Sequence, residues 1–154
     1  MMRFATMLLA ALCMLGAAAA QAYCVQNLLL ARSVRVEQEP HPDKLRDERA
    51  LRVTLRPGER KCCHFKNLDC NPLGRRDAIV SLAITIAGEP EYWCGYPEGA
   101  EPNVKVTGGG QVRIQENPRR KSASPFIVRV RTHDKDITGP RGLACPASQT
   151  KGKP

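Results

Sequence analysis

Helical periodicity is missing from this sequence. Beyond the N-terminal segment no stretch repeats apolar side chains every three to four residues, and none is apolar over the roughly 20 residues a bilayer span requires. A helical bundle and a multi-span membrane protein are therefore not expected. Aromatic residues are scarce, at 5% with a single Trp, which argues against a surface that stacks single-stranded bases. Histidines number three. His41, His64 and His133 each stand in a polar context, no Ser or free Cys has nucleophile-like neighbours, and the acids form no recognisable pair. No catalytic residue is expected.

What is present begins with an export leader. Arg3 supplies a positive start, residues 4–15 an apolar core and Ala20-Gln21-Ala22 a small-residue cleavage site, so the mature chain is expected to begin at Tyr23. Cys13 would leave with the leader. It follows Leu12, where a lipid-attachment site would want a small residue. The expected organisation is a signal peptide over 1–22, one disulfide-stabilised β domain over 23–146 and a disordered tail over 147–154, placed in the periplasm or secreted to the medium. The formal charge of +9 becomes +8 once Arg3 is removed, which bears on solubility and acidic partners rather than on fold.

Of the seven cysteines, those outside the leader are Cys24, Cys62, Cys63, Cys70, Cys94 and Cys145. An even number behind a leader predicts three disulfides and no free thiol. The centre is the run from Arg60 to Pro72, where Cys62 and Cys63 are adjacent. In extended chain such neighbours point to opposite faces, which predicts one inward and one sideways partner. The staple reading pairs Cys70 with Cys62 or Cys63, the other of these with Cys94, and Cys24 with Cys145. A soft-metal site of Cys62, Cys63, His64 and Cys70 is the competing reading, but its spacing matches no standard zinc pattern. Asn67, Asp69 and Asn71 resemble the opening of a calcium loop that fails at Pro72, where glycine is needed, so turn chemistry accounts for them. No metal or cofactor is expected.

Period-two alternation predicts the strands. Val34-Arg35-Val36, Leu51-Val53-Leu55 and the most apolar run, 78–86 with Val80, Leu82, Ile84 and Ile86 on one face, each read as strand, the last as a central one. Residues 37–49 are almost wholly charged or Pro, and 91–102 read as an irregular, tethered excursion. Val104-Lys105-Val106, the glycine run 108–110 and Val112-Arg113-Ile114 predict a β-hairpin, and 126–131 the last strand. The fold expected is all-β, a small antiparallel β-sandwich or squat barrel of about seven or eight strands, disulfide-stapled. Leu55, Val80, Leu82, Ile84, Val106, Ile114 and Val128 are expected in the core.

Two surfaces are candidate sites. Arg35, Arg52, Lys105, Arg113, Arg129 and Arg131 alternate with inward aliphatics and so face outward. Arg129 and Arg131, joined to Arg119, Arg120 and Lys121 on the preceding loop, form a candidate polyanion-binding patch for lipopolysaccharide, acidic glycan, phospholipid head groups or nucleic acid. Charges that merely solvate a β face and blunt sheet edges are the plainer reading. Tyr92, Trp93 and Tyr96 form an aromatic loop suited to carbohydrate or protein recognition, or else Trp93 plugs one end of the sandwich. The function expected is a non-catalytic exported binding or interaction module with a polyanionic or protein partner. The alternative is a small secreted hydrolase or metal-dependent enzyme.

Overall fold

The computed structural model describes residues 22–40, 51–95, 103–119, 122–132 and 135–148. Residues 1–21 of the expected leader and residues 41–50 lie outside them. The described residues are all-β and contain no helix long and apolar enough to cross a membrane.

Among the described residues ten strands form two five-stranded sheets. They are β1 (Ala22–Asn27), β2 (Val34–Gln38), β3 (Arg52–Leu55), β4 (Arg60–His64), β5 (Ile79–Ile86), β6 (Tyr92–Cys94), β7 (Val104–Thr107), β8 (Gln111–Glu116), β9 (Phe126–Arg131) and β10 (Leu143–Ala144). Sheet A runs β10-β9-β8-β1-β4. Sheet B runs β3-β2-β5-β6, with β7 pairing β5 beyond β6. The pairing is antiparallel except between β1 and β8, which run parallel, an exception to the expected antiparallel pattern.

The alternating aliphatics do what their period requires. All seven residues expected in the core are buried, and Val80, Leu82, Ile84 and Ile86 of β5 share one cluster with Tyr23 and Val25 of β1, Val112 and Ile114 of β8, and Val128 and Val130 of β9. Full burial of such side chains contributes about 1.5–3 kcal/mol each. On one side of the sandwich β3 passes to β4 through Pro57-Gly58, where Gly58 takes φ +81° and Glu59 N donates to Arg56 O at 3.0 Å. That is a turn whose third residue needs glycine. On the other side the C-terminal segment spans both sheets. After β10 pairs β9, Trp93 N donates to Pro146 O at 3.0 Å and Ser148 N to Glu91 O at 2.7 Å, so Ala147 and Ser148 are tied to β6.

The glycine run does not make the expected hairpin. β7 pairs β5 in sheet B, whereas β8 pairs β1 and β9 in sheet A, so residues 108–110 carry the chain between sheets. None of these glycines has positive φ. They serve close approach instead: a Cβ on Gly110 would lie 2.7 Å from Val106 Cγ2 and 2.8 Å from Arg131 O, and one on Gly108 would collide with the Asn71 amide. Two further expectations change. β6 is a strand inside the stretch read as irregular, and β10 follows the strand read as last.

The cysteines pair as Cys24–Cys62, Cys63–Cys70 and Cys94–Cys145. Cys63 with Cys70 is one of the anticipated pairings; Cys24 with Cys145 and a Cys94 link to the junction are not formed. The register decides this. Cys24 and Cys62 are directly opposite on β1 and β4, while Cys94 and Cys145 meet where the C-terminal segment crosses to β6. Cys63 faces the core and Cys62 the solvent, as adjacent residues of a strand must.

A side-chain pair crosses the core. Tyr23, fully buried on β1, donates its phenol proton to Gln38 Oε1 on β2 at 3.2 Å, and burial pushes its pKa well above the ordinary phenol range. A group whose folded pKa is raised gives stability that is intact below the unfolded value, about 10 for Tyr, and is lost as pH rises toward the folded value. We expect wild-type urea midpoints to fall between about pH 8 and about pH 11 more steeply than those of Tyr23→Phe. Near neutrality that variant should lose about 1–3 kcal/mol, because Gln38 is left unpaired. Parallel pH dependence in the two proteins would contradict the assignment.

Candidate polyanion-binding face

Directly paired residues project from the same face of a sheet, so the registers define the solvent face of sheet A. Arg129 of β9 stands opposite Arg113 of β8, Arg113 opposite Gln26 of β1, and Gln26 opposite Arg60 of β4. Three arginines thus occupy one four-residue rung across the sheet. The neighbouring rung places Arg131 opposite Gln111, then Cys24 and Cys62.

Residues 135–138 fold back along β9. The backbones of Arg131 and Asp136 pair in an isolated antiparallel β-bridge, and Ile137 N donates to Val130 O at 2.9 Å. This closes one side of a shallow cavity of about 300 Å³ lined by Gln111, Arg113, Arg129, Arg131, Lys135 and Asp136. The acid is engaged by its own loop: Asp136 Oδ1 accepts from Thr138 N, Thr138 Oγ1 and Gly139 N at 3.0, 3.1 and 3.0 Å. Arg129 is half-buried and anchored by a 2.9 Å bond from Nη2 to Pro140 O, while its buried Nε has no hydrogen-bond partner among the described residues. Arg113 Nη2 leans on Gln111 Oε1 at 3.3 Å. Among the described residues no carboxylate forms an ion pair with Arg113, Arg129 or Arg131. The cavity therefore presents four cations against one acid.

The five residues expected to converge do not all do so. Arg129 and Arg131 line the cavity. Arg119 lies on the loop at the opposite end of the β8–β9 hairpin, because Glu116 pairs Phe126 at that end and Gln111 pairs Arg131 at the other. Five steps along a strand are about 17 Å. Arg120 and Lys121 lie outside the described residues. Arg113, read from the sequence only as an outward charge, joins the site because β8 and β9 are neighbours. Arg35, Arg52 and Lys105 belong to sheet B and contribute nothing here. Sequence reasoning missed Arg60 and Lys135. The period-two relation of Arg60 to Cys62 was a usable signal for the first; Lys135 had none.

The aromatic residues separate. Tyr92, rather than Trp93, closes an end of the core: its ring meets Phe126 edge-on at 4.9 Å, with the Arg32 guanidinium 5.4 Å from both rings. Trp93 pairs Thr85 on the solvent face of sheet B and donates Nε1 to Glu91 Oε2 at 3.1 Å. Tyr96 lies outside the described residues, as do His41 and His133. His64 is exposed, stacks on Phe65 at 4.9 Å and accepts from Lys66 N through Nδ1 at 3.2 Å. Asn71 is fully buried and donates to Arg75 O at 2.8 Å, so it is turned away from any shared site with exposed Asn67 and Asp69. Among the described residues no three His, Cys, Asp or Glu side chains are grouped to hold a metal ion. No protein-family model, curated protein or solved structure matches this chain.

Proposed function

We propose that the protein is a non-catalytic binding module that takes anionic glycans, lipopolysaccharide among them, on the solvent face of sheet A. The observation that carries this reading is Arg113 directly opposite Arg129 with no acid among the described residues ion-paired to either. Like charges placed opposite on adjacent strands destabilise a sheet, so the fold gains nothing from the pair. A sulfate or phosphate group seated between them would remove the repulsion and accept charge-assisted hydrogen bonds from both guanidinium groups. Arg131 and Lys135 extend the charge along β9 and its return segment, and Arg60 extends it across the strands. The face has no aromatic side chain on β1, β8 or β9 that would favour stacked bases.

The test is salt elution from immobilised heparin and from immobilised lipopolysaccharide. Arg113→Glu combined with Arg131→Glu alters two exposed positions and should elute at markedly lower salt than the wild type on both supports. Each lost contact should lower the salt slope of log affinity by an amount of the order seen on duplex DNA, about 0.9 per phosphate neutralised. Arg119→Glu should elute close to the wild type. Co-elution of the double variant with the wild type, both folded by near-ultraviolet circular dichroism, would reduce these arginines to a solvated face.

A further inference from the structure

The three disulfides sit in unlike surroundings. Cys63, Cys70, Cys94 and Cys145 are buried, at 3%, 7%, 0% and 0% exposure. In the third pair Cys24 is 3% exposed, whereas Cys62 is exposed on β4, one of the two edge strands of sheet A. Arg60, two residues before Cys62 and on the same face, places Nη2 3.0 Å from Cys24 Sγ. One half of this bond thus belongs to an exposed residue, and the other to a buried residue whose sulfur is held against a cation.

We propose that Cys24–Cys62 is a thiol-exchange site that captures a small thiol, glutathione-like in charge and size, on Cys62. Exchange proceeds fastest where the attacked sulfur is accessible and the departing thiol is acidic. Here access selects Cys62, and the neighbouring guanidinium stabilises the departing Cys24 thiolate, as cations do for thiolates generally. The incoming thiolate forms a new S–S bond with Cys62 Sγ. The Cys24–Cys62 bond breaks, and its electron pair leaves on Cys24 Sγ beside Arg60. The proton that the thiol gave up goes to solvent, and the step conserves one disulfide. A second thiolate that attacks the mixed disulfide at the small thiol's sulfur releases Cys62 as thiolate and carries away the small disulfide, so two thiols are oxidised as one protein disulfide is reduced. Arg60 and the exposed Lys61 also favour the approach of an anionic thiol over a neutral one.

The experiment uses the oxidised protein, reduced glutathione as probe, acid quenching, alkylation of free thiols and peptide mapping. The expected first product carries glutathione on Cys62 and an alkyl group on Cys24, with Cys63–Cys70 and Cys94–Cys145 intact. Arg60→Met should slow its formation roughly three- to tenfold, and Arg60→Lys by less. Glutathione on Cys24, earlier opening of either other disulfide, or an unchanged rate in a folded Arg60→Met protein would each overturn the proposal. The regiochemistry of the wild type decides by itself if that variant does not fold.

Discussion

Alanine at both Cys94 and Cys145 should cost about 4 kcal/mol of unfolding free energy, well above the loss expected from removing Cys63–Cys70. The bond joins residues 51 apart, and in the chain-entropy model a loop of that size frees about 4 kcal/mol of denatured-state disorder when it is cut. The same model gives about 2.4 kcal/mol for Cys63–Cys70, whose separation is 7. The native state adds to the difference. Cys94 belongs to β6 of sheet B and Cys145 follows β10 of sheet A, both fully buried, so the bond holds the side on which one segment must serve two sheets. Beside it Ser124 Oγ accepts from Cys145 N at 2.8 Å and lies 2.6 and 2.7 Å from the Phe126 and Cys145 carbonyl oxygens, either of which can take its proton. Denaturant midpoints of this variant and of one with alanine at both Cys63 and Cys70 should differ in this order. Equal losses would mean that the crossing segment is held by its hydrogen bonds alone.

The core was legible in the sequence because a buried strand writes its burial at every second position. Val80, Leu82, Ile84 and Ile86 announce a face without reference to any neighbour. The site was only half legible, since period two tells whether Arg113 or Arg35 points outward but not which strands lie side by side. Arg113 and Arg129 meet because β8 and β9 pair, and Arg60 joins them because β1 lies between β8 and β4, a placement written nowhere locally. Lys61 shows the same limit: it pairs Val25 on the core side of the sheet, yet stays exposed because β4 is an edge. An inward charge there discourages pairing with another chain. The glycine run misled for a related reason. Absent side chains permit positive φ and permit close packing, and only the tertiary setting selects between them. Disulfide connectivity is likewise a property of register, as Cys24 opposite Cys62 demonstrates.

Asn27→Leu should destabilise the protein by about 3 kcal/mol or more, an effect that no pattern of apolar residues would suggest. The side chain is fully buried at the end of β1, and its amide does the work of a backbone group where two loops meet sheet B. Nδ2 donates to Arg32 O at 2.9 Å and to Leu55 O at 3.0 Å, while Oδ1 accepts from Leu29 N at 3.0 Å. Its own backbone accepts from Gly58 N at 2.8 Å and donates to Glu59 O at 2.9 Å, so one residue binds the β1–β2 loop, the end of β3 and the turn before β4. Leucine fills similar space but strands the buried Leu29 amide and Leu55 carbonyl, each at a cost of about 1–3 kcal/mol, and the part-buried Arg32 carbonyl as well. Asn27→Asp supplies the sharper test. A carboxylate would still accept from Leu29 N but would turn an oxygen toward two carbonyl oxygens, which raises its folded pKa above the unfolded value of about 3.9. A raised pKa places the remaining stability below the unfolded value and removes it as pH rises through the folded one. Relative to wild type, Asn27→Asp should therefore be least destabilised in acid and most destabilised near neutrality. Urea midpoints for both proteins between about pH 3 and about pH 7 would show this, and a pH-independent difference would rule out the two donated hydrogen bonds.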